Sequence, residues 1–208
     1  MEQAVPESIA ETIAEEDRLR GDLYDFLAAL LARPADQALL TQSAALSGDE
    51  SDMGQAIQTL ARVAKQSSPA IVEREFNALF IGVGRGELLP YASFYLTGFL
   101  NEKPLAQLRK DMAAQSITRA PNVYEPEDNI ASLLEIMGGM IAGRFGNPVP
   151  LDRQITFFNL HIAPWAGHFF ADLEGAKNAV FYAGVGAIGQ IFIEIEREAF
   201  RLSAGEPA

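Results

Sequence analysis

A chain of 208 residues, 49% hydrophobic and 21% charged, is too apolar to stay disordered and long enough to bury one sizeable core. Its 28 acids against 16 bases give a formal charge of −12, a field that repels nucleic acid and anionic lipid and attracts cationic peptides. Cysteine is absent, which excludes disulfides, thiolate catalysis and cysteine-ligated metals.

The N-terminal segment is acidic and lacks the basic start and apolar run of a secretory signal, which points to a cytoplasmic protein. Ser8 followed by Glu11 fits a capping box. Leu19, Leu23, Phe26, Leu27, Leu30 and Leu31 then recur at helical spacing until Arg33-Pro34 stops the run, so a long first helix is expected. Shorter helices follow over about 37–46 and 53–65. Ser68-Pro69 opens a fourth, whose apolar face carries Val72, Phe76, Leu79 and Phe80 and which ends at Gly82. GVGRGELLPYASFYLTGFLNE, rich in glycine and aromatics, has no 3.6-residue period and reads as a long connection.

A helix over about 104–115 leads through a polar loop to Glu125. The next places Ile130, Leu133, Leu134, Met137 and Ile141 on one stripe and exits through 143–150. Asp152 caps a helix through His161, Pro164 restarts or kinks it, and a last long helix covers about 178–202. The uncharged run from Asn178 to Ile193 is broken by Gly184, Gly186, Gly189 and Gln190. It falls short of the roughly 20 apolar residues of a spanning helix and reads as a buried one, its glycines admitting close neighbours. The expectation is an all-α protein, a single domain over 1–208 with eight or nine helices, no stable membrane insertion, and flexible tails at 1–7 and 203–208.

Catalytic signatures are missing. His161 and His168 lack the glutamates of a helical di-metal site and read as core or helix-end residues, so no metal and no cofactor is expected. No G-x-S-x-G occurs. GVGRG at 82–86 follows a helix and lacks a Gly-Lys-Ser/Thr ending, which favours a turn over a phosphate loop.

Two segments suit binding. In PYASFYL an extended backbone would project Tyr91, Ser93 and Tyr95 to one side, ready to grip a peptide; the same rings would equally serve to hold the loop on the core. In YEPEDN, Pro126, Glu127 and Asp128 suit the start of a helix and its dipole. Glu125 is one acid more than capping needs and leaves a cation-binding rim open.

LLPYASFYL, PLAQLR, EPEDNIASLLEIM and FFNLHIAPWAGHFFADLE, in this order, together with RLRGDLYDFLAALLARP, resemble the TorD/DmsD family of cytoplasmic molybdoenzyme maturation chaperones. Within it, YLTGFL followed by PLAQLR looks most like the members associated with formate dehydrogenases. The resemblance implies an all-helical, non-enzymatic protein. Its partner would be an immature molybdoenzyme catalytic subunit, held in many cases by a twin-arginine signal peptide until the cofactor is inserted. The family's peptide-binding segments fall on Tyr91, Ser93 and Tyr95 and on Glu125, Pro126, Asp128 and Asn129. Where relatives usually carry histidine, Asn129 hydrogen bonds but cannot gain charge. A nucleotide- or molybdopterin-binding accessory protein and a plain helical scaffold are the alternative readings.

Overall fold

The computed structural model describes residues 14–119 and 123–203. The capping box at Ser8 and Glu11, and the expected chain ends apart from Ser203, lie outside them. Ser203 itself is helical.

The first helix, α1 (Glu15–Ala32), carries Glu15, Glu16 and Asp17 at its positive end and stops where Arg33 turns extended ahead of Pro34. Leu27, Leu30 and Leu31 are buried as its spacing requires, whereas Leu19 is exposed. Asp36 caps α2 (Gln37–Ala45) through Leu39 N–H at 2.9 Å, and Ser51 caps α3 (Asp52–Gln66) through Gly54 N–H at 3.1 Å. Pro69 opens α4 (Pro69–Phe76), which widens into a π-helical turn, Asn77–Ile81, before Gly82 at φ 62° ends it.

The expected connection contains one further short helix, α5 (Ala92–Thr97), closed by left-handed Gly98. It raises the count among the described residues to ten α-helices. α6 (Lys103–Ala114) and α7 (Ile130–Ala142) follow, then α8 (Leu151–Phe157) with a second π-helical turn, Phe158–Ile162, and α9 (Ala166–Glu174) and α10 (Phe181–Ser203). The described residues hold no strand, only an isolated antiparallel bridge between Tyr91 and Asn129.

α7 lies at the centre, with ten of its thirteen residues buried, and α1 packs along it. α10 lies against α9 and α3. A Cβ on Gly186 would stand 2.5 Å from Glu174 N and 2.8 Å from Phe170 O, and one on Gly189 2.3 Å from the Phe170 ring. These glycines are what lets α10 and α9 approach, as their place in the sequence suggests.

Carboxylates fasten both ends of α10. Glu75, buried on α4, accepts from the backbone N–H groups of Val180, Phe181 and Tyr182 at 2.8, 3.1 and 2.7 Å, meeting the donors that a helix start leaves free. Glu196, 1% exposed, takes Arg20 Nε and Nη2 at 2.8 and 2.9 Å and the Tyr24 hydroxyl at 3.0 Å, joining α10 to α1. No helix among the described residues is long and apolar enough to cross a membrane.

Candidate functional site

The bridge brings the aromatic loop to the start of α7. Ala92 N donates to Asp128 O and Ile130 N to Pro90 O, each at 2.9 Å. Asn129 caps α7 with its side chain, accepting from Ala131 N at 2.9 Å. Asp128 serves a different helix: its Oδ2 accepts from Ser93 N at 2.8 Å, so it caps α5 from a distant part of the chain. Glu127 Oε2 takes Arg109 Nε and Nη2 at 3.0 and 2.8 Å. Burial pushes the Glu127 carboxyl up, but its bonds to Arg109 prevail and hold it below the usual range.

Three of the four polar side chains in EPEDN therefore hold the fold, and the helix dipole of α7 is served by Asn129 instead of by Glu127 and Asp128. Glu125 is the exception. It is exposed, and the Tyr91 hydroxyl donates to it. Burial of the Tyr91 ring and that acceptor together raise the phenol well above its ordinary value.

Tyr91, Ser93 and Tyr95 do not share one side, because residues 92–97 are helical and the alternation of extended backbone is lost. Tyr91, at the N-cap of α5, faces Glu125. Ser93 is fully buried, and Tyr95 points to α9, where its hydroxyl donates to Asp172 Oδ2 at 2.9 Å and its ring meets Trp165 at 5.3 Å. Asp128 is 1% exposed. Tyr91, Glu125 and Asn129 are thus brought to one surface, Pro126 stands half-buried beside them, and Ser93, Tyr95 and Asp128 support that surface from behind.

That surface is a groove of about 360 Å³. Tyr91, Glu125 and Asn129 line it together with Leu31, Phe76, Phe80, Ile81, Val123 and Glu135. Ile81 is 60% exposed and Val123 41%, an apolar floor open to solvent beneath two carboxylates. At the π-helical turn Phe80 stays half-buried against the Phe76 ring, at 4.9 Å between centroids, while Ile81 at its end faces solvent. Sequence reading missed Ile81 and Glu135; an isoleucine just beyond the last apolar position of a helix was the available signal.

The glycine segment is a turn, as expected. Gly82 and Gly84 have φ of 62° and 87°, and Leu88 N returns to Leu79 O at 2.8 Å. It opens no helix, the next beginning at Ala92.

His161 is buried, with Nε2 at 2.9 Å from Asp111 Oδ2, while its carbonyl accepts from Trp165 Nε1 at 2.8 Å. His168 is exposed in the first turn of α9. Burial lowers the His161 pKa below 6.5, against the opposing pull of Asp111, so the neutral ring donates from Nε2 to the carboxylate. The unfolded chain then binds this proton more tightly. The histidine costs nothing above its unfolded pKa and removes stability as pH falls through about 6.5. His161→Gln is expected to lose less stability than the native chain between about pH 7.5 and about pH 5.5 in urea titrations. Equal losses would remove the histidine from the acid response.

Comparison with known proteins bears on the family and the fold. Residues 46–171 match the family described as Nitrate reductase delta subunit. The chain is 29% identical over 131 residues to Chaperone protein TorD of Aliivibrio fischeri, covering 59% of this chain and 60% of that protein. It is 23% identical over 202 residues to Chaperone protein TorD of Vibrio atlanticus, covering 86% and 93%. A putative redox enzyme maturation protein from Archaeoglobus fulgidus has a crystal structure that superposes with a TM-score of 0.55 at 19% identity, over 85% of this chain and 94% of that one, and so shares the fold. With more than half its length matched, and with an all-helical frame like that of the archaeal structure, the chain belongs to the nitrate reductase delta subunit family.

Proposed function

We propose that the protein is a cytoplasmic maturation chaperone that holds an immature molybdoenzyme catalytic subunit by its N-terminal or twin-arginine signal segment while cofactor insertion and assembly proceed. The observation that carries this reading is the groove. Phe76, Phe80 and Ile81 give it an apolar floor, and Glu125 and Glu135 give it an acidic rim without a lysine or arginine among its lining residues. A segment combining arginines with apolar side chains complements it: the guanidinium groups find carboxylate partners and the apolar groups leave water. Tyr91 orients Glu125 toward such a ligand. Ser93, Asp128 and Asn129 act as positioning residues, fixing α5 and α7 around the groove, and Tyr95 ties α5 to α9 from behind.

Calorimetry with a synthetic twin-arginine peptide tests this. Glu125→Gln removes a charge-assisted partner at an exposed rim and is expected to weaken binding about tenfold, while Ile81→Asp, which puts a charge on the apolar floor, should weaken it about a hundredfold. Both sites are exposed, so folding is retained. Unchanged affinity in both variants would sink the reading. Capture from cells lacking molybdenum cofactor should bring down an apo molybdoenzyme subunit with the native chain and less of it with Ile81→Asp.

A further inference from the structure

A cavity of about 310 Å³ lies between the last turn of α6 and α8 with its π-helical turn, and it shares no lining residue with the groove described above. Leu160 and His161 reach it from that turn, a rare local form that is frequent at functional sites. Its apolar wall consists of Ala114, Phe157 and Leu160, of which Leu160 is 53% exposed while Phe157 is buried.

Three polar groups in this lining are not used up by the fold. Arg153 is exposed and has no hydrogen-bond or ion-pair partner among the described residues. Gln115 Oε1 is buried and receives no donor, a state that costs stability until a donor reaches it. Asp111 accepts from Gln107 Nε2 at 3.1 Å on each oxygen and lies 2.9 Å from His161 Nε2, and since a carboxylate has about four acceptor positions it keeps capacity for another donor. Gln115 also stands at the C-terminal end of α6, where the helix dipole favours a positive group. The neutral His161 ring adds no charge. The cavity therefore presents one cation, one anion and one unmet acceptor around an apolar wall.

We infer that this cavity binds a free apolar α-amino acid as its zwitterion. The carboxylate meets Arg153, the ammonium donates to Gln115 Oε1 and Asp111, and the side chain leaves water against Phe157 and Leu160. A simple anion would answer Arg153 but leave Gln115 Oε1 without a donor and face the charge of Asp111. A simple amine would answer Gln115 and Asp111 but leave Arg153 unpaired. Both signs on one small body match the lining, and the volume stands at the lower end of the range of about 300–1,000 Å³ for small-molecule sites. This site is independent of the function proposed above.

Calorimetry with three probes separates the claims: leucine, N-acetyl-leucine without the ammonium, and leucinamide without the carboxylate. Leucine is expected to bind saturably to the full chain, and each of the other two at least about tenfold more weakly. Arg153→Gln should weaken leucine about tenfold and leave leucinamide unchanged, because only the carboxylate contact is lost. Ala114→Trp fills the cavity from an exposed position and should abolish leucine binding. Titration with leucine should also shift the His161 imidazole resonances of the native chain and leave those of Ala114→Trp in place. The inference is overturned if leucine does not bind, if leucinamide or N-acetyl-leucine binds as tightly as leucine, or if leucine binding survives Ala114→Trp.

Discussion

Gly186→Ala is expected to destabilise the protein by about 3 kcal/mol, although alanine is the better helix former by about 1 kcal/mol. The methyl group would meet Glu174 N at 2.5 Å, Phe170 O at 2.8 Å and Glu174 Cα at 2.9 Å. These are backbone atoms of α9, so no rotamer change relieves them and the two helices must part. Their separation loosens Phe170, Leu173, Val185 and Ile188, all buried. Gly189→Ala meets only the Phe170 ring, a side chain with some freedom, and should cost less. At Gly138 the nearest atom is the far end of Asp25, which should make that substitution the mildest of the three. Thermal unfolding of the three variants checks the order; a Gly186→Ala protein as stable as the native one would mean that the helices are not held this close.

Removing the carboxylate of Glu196 should cost about as much, for an electrostatic reason. Glu196→Ala leaves the Tyr24 hydroxyl, fully buried, without its acceptor and strips the Arg20 guanidinium of its bidentate partner. Burial works against the charged Arg20, but the hydrogen bonds to Glu196 outweigh it and strengthen its hold on the proton. Losing one member of a buried pair costs about 3–5 kcal/mol. Arg20 keeps Asp17 at 2.5 Å and is 21% exposed, so the lower end applies, about 3 kcal/mol. Glu196→Gln keeps the shape and an acceptor for Tyr24 and should lose roughly half as much. Denaturant titration distinguishes the two variants, and equal losses would show that charge alone, with no contribution from shape, holds α1 to α10.

The helical architecture was legible because long elements repeat their apolar positions often enough to be counted. α3, α7 and α10 fall close to where periodicity puts them, and α1 ends where Arg33-Pro34 was expected to stop it. α5 was not, because six residues give fewer than two turns and its capping carboxylate, Asp128, comes from another part of the sequence. Local reading assigned Asp128 to the dipole of the helix next to it. The structure gives that place to Asn129 and sends Asp128 across to Ser93 N. The meeting of Tyr91 with Glu125 followed from the family resemblance and not from spacing. The groove floor stayed hidden because Phe80 does sit beside Phe76, with ring centroids 4.9 Å apart, as a wheel of 3.6 residues per turn puts it, and that periodicity marks both rings as core while leaving Ile81 outside the apolar face.

The Tyr91 and Asn129 bridge, with its paired backbone bonds and the caps around it, has a bearing on how a ligand associates. Loops that organise only when a ligand arrives charge their lost conformational freedom against affinity, at about 0.5–1.5 kcal/mol for each immobilised side chain. Here that ordering accompanies folding, so the receptor arrives preorganised. What entropy remains to be lost on docking belongs to the incoming segment, and stiffening that segment is the route to a tighter complex.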